Sequence, residues 1–240
     1  MLPVPLRGSA SAIVYAAHEA EATRSLLKTL RQLPLQETIV ILPGDSTATL
    51  SAAFQSHHRV TTVYRPELSN PDIGRALGSK LTRADVVLFL DGSNRVPAQR
   101  LARFLWQCDN GIDVALSDTS EQLGSFNRRP NVYRLAEFLN RSLNRRDLRA
   151  SSMSVLPYAL SRRALQAIGP GPLAVPPHAH AAAILGGLRV GIAAAAGGWK
   201  QPNMDLDGFA SAWRTAMQIC GNRQSFPDNL RNRKFMEGWM

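Results

Sequence analysis

The chain has 240 residues, 45% of them hydrophobic, which is enough for the core of one α/β domain. Its formal net charge of +10 favours anionic partners such as phosphorylated molecules, acidic lipid or nucleic acid. No apolar run approaches the ~20 residues of a spanning helix, and the first residues do not resemble a signal peptide. The two cysteines lack metal-type spacing, which favours buried thiols and predicts a cytoplasmic protein.

The first half of the chain alternates between strand-like and helix-like segments. Strands are predicted at 11–17, 37–42, 59–64, 84–90 and 113–118. Helices are predicted at 19–33, 46–56, 70–81 and 96–108. This β-α-β-α order predicts an α/β fold with a doubly wound, mostly parallel, Rossmann-like sheet. Ligands of such sheets gather at the carboxyl ends of the strands, which here are 16–19, 42–46 and 91–93.

The second half of the chain is less regular, and its predicted segments are shorter. They are an amphipathic helix at 129–145, a strand at 153–160, a helix at 161–169, a proline-rich loop at 170–179, a helix at 180–188, a strand at 189–196 and a helix at 205–220. Ser161 is the expected N-cap of the short helix and Gly169 its end. We find no domain boundary, so the sequence predicts one domain over 1–240, with 198–240 as a C-terminal helical extension.

Five segments, taken in chain order, resemble the family 2 glycosyltransferases. They are SAIVYAAHEAEATRSLLKTL, ETIVILPGDSTATL, NPDIGRALGSKLTRADVVLFLDGSNRVP, YALSRRALQAIG and HAHAAAILGGLRVGIAA. The resemblance implies the A-type nucleotide-sugar fold and a hexosyltransferase-type reaction on a nucleotide-diphosphate sugar, usually with Mg²⁺ or Mn²⁺. Such a reaction needs positive charge on the leaving diphosphate and a base for the acceptor hydroxyl.

The turn after the strand at 84–90 resembles the family's Asp-X-Asp turn in degenerate form. Asp91 matches the first carboxylate, a position that contacts the ribose or the metal, so it is the candidate metal ligand. A plain turn residue at the end of a strand is the structural alternative. Ser93 stands where the second carboxylate is usual, and a neutral hydroxyl is a poor ligand for a hard dication. The resemblance therefore implies a donor site with weak metal affinity.

Four further residues are candidate nucleotide contacts by the same resemblance. Two of them stand at the family's Asn-Glu pair, one is displaced by a residue from the carboxylates of the second turn, and one lies on the helix that faces the nucleotide. They are His18, Glu19, Asp45 and Arg75. Each also has a structural interpretation, as a helix-dipole residue, a cap or part of a solvated helix face.

The family's catalytic base is an Asp ahead of the final helix, and this chain has no carboxylate between Asp147 and Asp205. His178 and His180 lie in the corresponding segment. Histidine titrates near neutral pH, so either residue is a candidate catalytic base. Both fit equally well as loop or helix-cap residues.

Arginines are concentrated between Arg128 and Arg149, which predicts either a solvated face or peripheral contact with an anionic membrane. The leading hypothesis is a transferase whose acceptor is a cell-envelope polysaccharide or glycolipid. The alternative is an inactive relative that binds nucleotide or a partner without transfer. Nucleic-acid binding is disfavoured, because aromatic platforms for bases do not alternate with the arginines.

Overall fold

A computed structural model of the chain describes residues 5–17, 20–44, 59–195 and 205–226. The strands of these residues are β1 Ala10–Tyr15, β2 Glu37–Pro43, β3 Val60–Arg65, β4 Val86–Asp91, β5 Val114–Asp118, β6 Tyr158–Ser161 and β7 Val190–Ala195. Their α-helices are α1 Ala20–Leu30, α2 Pro71–Leu81, α3 Ala98–Asp109, α4 Asn131–Ser142, α5 Arg162–Ile168, α6 Pro170–Leu173, α7 Pro176–Leu185 and α8 Leu206–Cys220. No described helix is long and apolar enough to span a bilayer.

The described strands form one seven-stranded sheet in the order β3-β2-β1-β4-β6-β5-β7. Among them β6 alone runs antiparallel to its neighbours β4 and β5, and the other pairs are parallel. The predicted α/β class with a mostly parallel sheet is therefore confirmed. Parallel strands end on the same side, so β1, β2, β3, β4, β5 and β7 all finish at one edge of the sheet, called the carboxyl edge below.

The central strands are apolar throughout because helices cover both faces of the sheet. Successive residues of a strand point to opposite faces. Val14 and Leu88 therefore join one core cluster, which α1 and α3 cover, whereas Ile13 and Phe89 join a second cluster, which α2, α5 and α7 cover. All six residues of β1 are buried. This arrangement fixes the sheet as the rigid base from which the loops of the carboxyl edge project.

The proline-rich segment at 170–179, predicted as a loop, is helical. Pro170 begins α6 and Pro176 begins α7. The first-turn N–H groups of a helix have no intrahelical partner, so proline loses no hydrogen bond there and its fixed φ suits the helix. The prolines that predicted a loop therefore stand at the starts of two helices.

The strand predicted at 153–160 begins later than expected. The structure forms β6 only from Tyr158, directly after the cis peptide bond Leu156–Pro157. Proline cannot donate to a sheet ladder, so pairing starts after it. The next helix agrees with prediction, since the Ser161 hydroxyl accepts from the Ala164 N–H and Gly169 follows the helix at φ 75°. The helix predicted at 46–56 lies outside the described residues.

A third apolar cluster joins α4, α7 and α8, and it includes Leu139, Ala181, Phe209 and Ala212. Helix α8 is the described part of the segment predicted as a C-terminal extension. Its N-cap is Asp205, whose carboxylate accepts from the Gly208 N–H at 2.8 Å. This cluster joins α4 and α7 through α8.

One polar contact is buried between these two helices. The Nε2 atom of His180, a fully buried residue on α7, lies 2.7 Å from the Oδ1 atom of Asn140 on α4. The Asn140 amide donates to the carbonyls of Arg149 and Ser151 at 2.9 and 3.0 Å, so its oxygen faces the imidazole and the Nε2 atom carries the hydrogen. Burial, with a smaller effect from the charge of Arg145, lowers the pKa of His180 to about 3. The ring is therefore neutral at physiological pH.

Gly78 allows α2 to approach β1 closely. A Cβ atom added at Gly78 would lie 2.6 Å from Cγ2 of Ile13, a fully buried side chain of the central sheet. We expect Gly78→Ala to lower the free energy of unfolding by about 1–3 kcal/mol, because overpacking outweighs the gain in helix propensity. Gly171→Ala is the matched control, since nothing lies within 4 Å of its added Cβ. Urea denaturation measures both, and equal stabilisation of the two variants would contradict the close approach.

The buried imidazole predicts a specific loss of stability in acid. Its pKa is lowered from 6.5 to about 3 on folding, so the unfolded chain binds the proton more tightly, and stability falls as the pH drops below 6.5. Between pH 7 and pH 5 this effect amounts to about 2 kcal/mol. We expect His180→Gln to be less stable at pH 7 but to lose about 2 kcal/mol less than the wild type on acidification, measured by urea denaturation. Parallel pH profiles would show that His180 is not buried as described.

Candidate functional site

The turn that follows β4 is closed by its own side chains. The Asp91 Oδ1 atom accepts from the Ser93 N–H at 2.9 Å and from the Ser93 hydroxyl at 2.5 Å. The Asp91 N–H donates in turn to Oδ1 of Asn94 at 2.7 Å. These bonds hold the half-buried Asp91 carboxylate at the carboxyl edge and leave its second oxygen for other partners.

Gly92 fits this turn because the chain passes close to its neighbours. A Cβ atom at Gly92 would lie 2.6 Å from the Thr23 hydroxyl and 3.1 Å from Cα of Ala16. Its N–H donates to the Tyr15 carbonyl at 2.7 Å. The end of β1 and the turn after β4 are therefore one packed unit.

The metal chemistry predicted for Asp91 finds little support among neighbouring side chains. Within the described residues, no three His, Cys, Asp or Glu side chains are grouped so that they could hold a metal ion. The turn supplies one carboxylate, and Ser93 supplies a hydroxyl that already donates to it. These residues do not form a cation cage by themselves. They fit only a cation that substrate phosphates also bind, as is common for Mg²⁺.

Arg75 lies on α2, which begins at the carboxyl edge. The Asn70 side chain caps this helix by accepting from the Asp72 and Ile73 N–H groups. The Arg75 side chain is 8% exposed and forms an ion pair with Asp72 through Nη2. Among the described residues its buried Nε and Nη1 atoms form no hydrogen bond of normal geometry, although the Arg75 side chain is close enough to the Tyr158 hydroxyl to oppose the effect of burial, which raises the Tyr158 pKa. Buried donors without partners are rare and costly, so this guanidinium has the features of a cation arranged for an anionic ligand.

Two tyrosines join Arg75 to the Asp91 turn. Tyr15, the last residue of β1, pairs with Asp91 in the β1–β4 register. Burial raises the pKa of Tyr15, the charge of Arg75 lowers it and the charge of Asp91 raises it, so both charges lie close to its hydroxyl. Tyr158 stacks on Phe89 with ring centroids 4.9 Å apart. Burial and the charge of Asp72 raise its pKa, whereas the charge of Arg75 and a hydrogen bond with the Arg75 side chain lower it.

The structure thus brings Arg75, Asp91 and Ser93 to one part of the carboxyl edge, around the Tyr15 ring. Sequence reasoning missed Tyr15 and Tyr158. A signal for Tyr15 was present, because a polar-tipped aromatic residue follows an apolar strand just where ligands gather. No comparable signal existed for Tyr158, since the strand it begins is antiparallel and short.

The two candidate catalytic histidines occupy different environments. His178 lies in the first turn of α7, where its Nε2 atom is 3.4 Å from the Thr215 hydroxyl of α8. His180 is inside the protein, bonded to Asn140, and its lowered pKa makes it a weak base with no exposed surface. Among the described residues, no hydrogen bond or ion pair links either histidine to Asp91. The role of His178 stays a prediction, and His18, Glu19 and Asp45 lie outside the described residues.

No protein-family profile and no curated protein sequence matches the chain. Solved structures with a similar fold do exist. One is glucosyl-3-phosphoglycerate synthase from Mycobacterium tuberculosis in complex with Mn²⁺, uridine diphosphate and phosphoglyceric acid. It is 20% identical, with a TM-score of 0.61, and the alignment covers 92% of this chain and 80% of that chain.

Two further structures extend the comparison. A mannosyltransferase from Pyrobaculum calidifontis in complex with GDP-Man and Mn²⁺ is 16% identical, with a TM-score of 0.55, over 81% of this chain and 59% of that chain. A mycobacterial protein is 18% identical, with a TM-score of 0.56, over 92% of this chain and 76% of that chain. At these identities the likeness concerns the fold. The chain therefore has the A-type fold of the nucleotide-sugar glycosyltransferases.

Proposed function

We propose that the protein binds a nucleotide-diphosphate sugar at the carboxyl edge and transfers the sugar to an acceptor hydroxyl. The observation that carries this proposal is the buried Arg75 guanidinium, whose Nε and Nη1 atoms form no hydrogen bond of normal geometry with the described residues. Guanidinium N–H groups form a fork that suits phosphate oxygens. Proteins of similar fold bind uridine diphosphate or GDP-Man, which supports a nucleotide diphosphate as the ligand.

In this proposal each described residue has a separate task. Arg75 donates to the diphosphate and offsets its charge as the sugar leaves. Asp91 accepts from the ribose or holds a cation together with the diphosphate, and Ser93 fixes the orientation of its carboxylate. A bound Mg²⁺ or Mn²⁺ would stabilise charge on the leaving group. Tyr15 pairs with Asp91 in the sheet and packs against Gly74, the neighbour of Arg75.

The candidate general base for the acceptor hydroxyl is a histidine of α7. His178 is the better placed of the two histidines for a general base, because it lies at the helix start nearer the carboxyl edge and is only partly buried. A base must come within hydrogen-bond reach of the acceptor hydroxyl. The family resemblance implies a cell-envelope polysaccharide or glycolipid as the acceptor.

A second function has its own supporting observation. The described turn holds one carboxylate, and the hydroxyl in place of the second donates to Asp91 instead of binding a cation. His180 is buried as a structural residue. These features suit a relative that binds nucleotide without transferring sugar.

We also propose a cytoplasmic protein in peripheral contact with an anionic membrane. Both cysteines are free, as is usual in a reducing compartment, although only Cys108 is buried as predicted and Cys220 is exposed. On α4, Phe138 is 50% exposed. Its ring packs against those of Trp213 and Phe226, with centroid separations of 5.3 and 6.0 Å. Arg134 and Arg141 lie one turn to either side of it, and an aromatic residue between cations suits a lipid interface.

Arg75→Gln tests the diphosphate contact. Charge-assisted hydrogen bonds to a phosphate would be lost, so we expect the Kd for uridine or guanosine diphosphate to rise at least tenfold, or about 1.4 kcal/mol, by calorimetry. Arg103→Gln, at an exposed position of α3, removes the same charge and should leave the Kd almost unchanged. Arg75→Lys keeps the charge but loses the fork, and should be intermediate. If folded Arg75→Gln or Arg75→Lys binds as tightly as Arg103→Gln, the proposed contact is wrong.

Variants of the Asp91 turn separate transfer from binding alone. With Mn²⁺ present, we expect Asp91→Asn to weaken donor binding about tenfold or more. Ser93→Asp adds a second carboxylate and should tighten Mn²⁺ binding, whereas Ser93→Ala removes the hydroxyl without adding charge. Release of sugar from uridine and guanosine diphosphate sugars is measured alongside. Binding with no sugar release in any variant or with any offered acceptor would favour the inactive relative.

A further inference from the structure

A second concave site lies beyond the Asp91 turn and is strongly basic. A pocket of about 440 Å³ is lined by the four arginines Arg129, Arg141, Arg146 and Arg149, together with Glu137 and Ser120. The single glutamate leaves an excess of three positive charges around this space. Its volume falls in the range of small-molecule sites, about 300–1,000 Å³. We call it the arginine pocket.

The four arginines of the arginine pocket differ in whether they form ion pairs. Glu137 binds Arg129 through one oxygen and Arg141 through the other, the latter at 2.8 Å. Arg129 also donates to the carbonyls of Leu123 and Gly124. In the described part of the chain, no ion pair involves Arg146 or Arg149. Two arginines therefore form the wall with Glu137, and two others present uncompensated charge.

The backbone of Arg149, a residue that lines the pocket, has a strained conformation. The residue has φ 49° and ψ −119°, a conformation that suits glycine and that other residues rarely adopt. Its neighbours Leu148 and Ala150 are buried, so the turn cannot relax outward. The Asn140 amide donates to the Arg149 carbonyl, and the buried His180 holds Asn140 from the other side.

This support fixes the backbone of Arg149, whose side chain is exposed. The Arg149 Nη1 atom donates to the Ser120 hydroxyl at 3.3 Å. Strain that surrounding structure maintains is common where a side chain has a function, and glycine would occupy this backbone position without conformational strain. The presence of arginine there, held by two buried polar residues, indicates that its charge is needed in the pocket.

The arginine pocket lies on the same side of the sheet as the candidate donor site. Ser120 follows the end of β5, and its N–H donates to the Asp118 carboxylate at 2.8 Å. Strands β5 and β4 both end at the carboxyl edge and are separated only by β6. At the usual strand spacing their ends are about 10 Å apart.

We propose that the arginine pocket binds the phosphate of a small phosphorylated acceptor. The identification of this ligand as an acceptor rests on the proposed function, whereas the pocket and its charge are independent of that function. A phosphate monoester is dianionic and accepts bidentate bonds from more than one arginine, which matches the uncompensated charges of Arg146 and Arg149. A concave site lined by four arginines suits a small anion better than a flat lipid surface or a nucleic-acid strand.

Calorimetry at constant ionic strength tests the pocket with inorganic phosphate, glycerol 3-phosphate and glycerol as probes. We expect glycerol 3-phosphate to bind more tightly than inorganic phosphate, and glycerol not to bind. Arg146→Gln and Arg149→Gln should each weaken phosphate binding tenfold or more, whereas Arg103→Gln on α3 should not. Equal affinity for both phosphates would assign the pocket to free phosphate and overturn an acceptor site. Absence of phosphate binding at millimolar concentration, or equal loss in Arg103→Gln, would overturn the pocket itself.

Arg149→Gly distinguishes a functional from a structural role. Because glycine adopts the observed backbone without strain, we expect this variant to unfold at a higher urea concentration while it loses phosphate binding. An arginine with a purely structural role predicts a lower unfolding midpoint and would overturn the inference. Uridine diphosphate binding should be unchanged in all arginine-pocket variants. If phosphate binds but uridine and guanosine diphosphate do not, the proposed transferase fails and the pocket stands.

Discussion

The parallel pairing of β1 with β4 is the contact on which the site depends. This pair lies at the centre of the sheet, and its register places Tyr15 directly opposite Asp91. The Gly92 N–H extends the pairing by one bond into the turn, to the Tyr15 carbonyl. Because both strands are buried on both faces, a shift of register by one residue would exchange side chains between the two cores of the sheet and would also displace the carboxylate.

Helix α2 depends on the same pair of strands. Gly74 and Gly78 let the helix lie directly on Tyr15 and Ile13, and the charge of Arg75, the residue after Gly74, acts on the tyrosine. The guanidinium is then too deep to be solvated and has one carboxylate, Asp72, as its ion-pair partner. Packing between small residues thus produces the electrostatic property that marks the site. Stability and binding are linked here through the position of one helix.

Much of this architecture could be predicted from the sequence. The apolar strands, the Ser161 cap and the end of β4 at Asp91 follow from local rules, because periodicity and capping chemistry act over a few residues. The loop predicted around Pro170 and Pro176 was wrong, because proline is common both in loops and at the starts of helices. The burial of His180 could not be predicted, because it depends on α4, a distant segment. The arginine cluster was visible, whereas the pocket it lines depends on the fold of the 120–149 segment.

The antiparallel course of β6 has a consequence for the molecules that this fold can serve. A strand that runs backward between β4 and β5 brings its start, not its end, to the carboxyl edge, where it places the buried Tyr158 ring. The loops after β4 and β5 are thereby kept one strand apart. For two ligands bound on these loops, β6 is a spacer of constant width, set by backbone hydrogen bonds rather than by side chains. The reach of an acceptor, measured from its anionic group to its reacting hydroxyl, is then limited by sheet geometry and is insensitive to most substitutions.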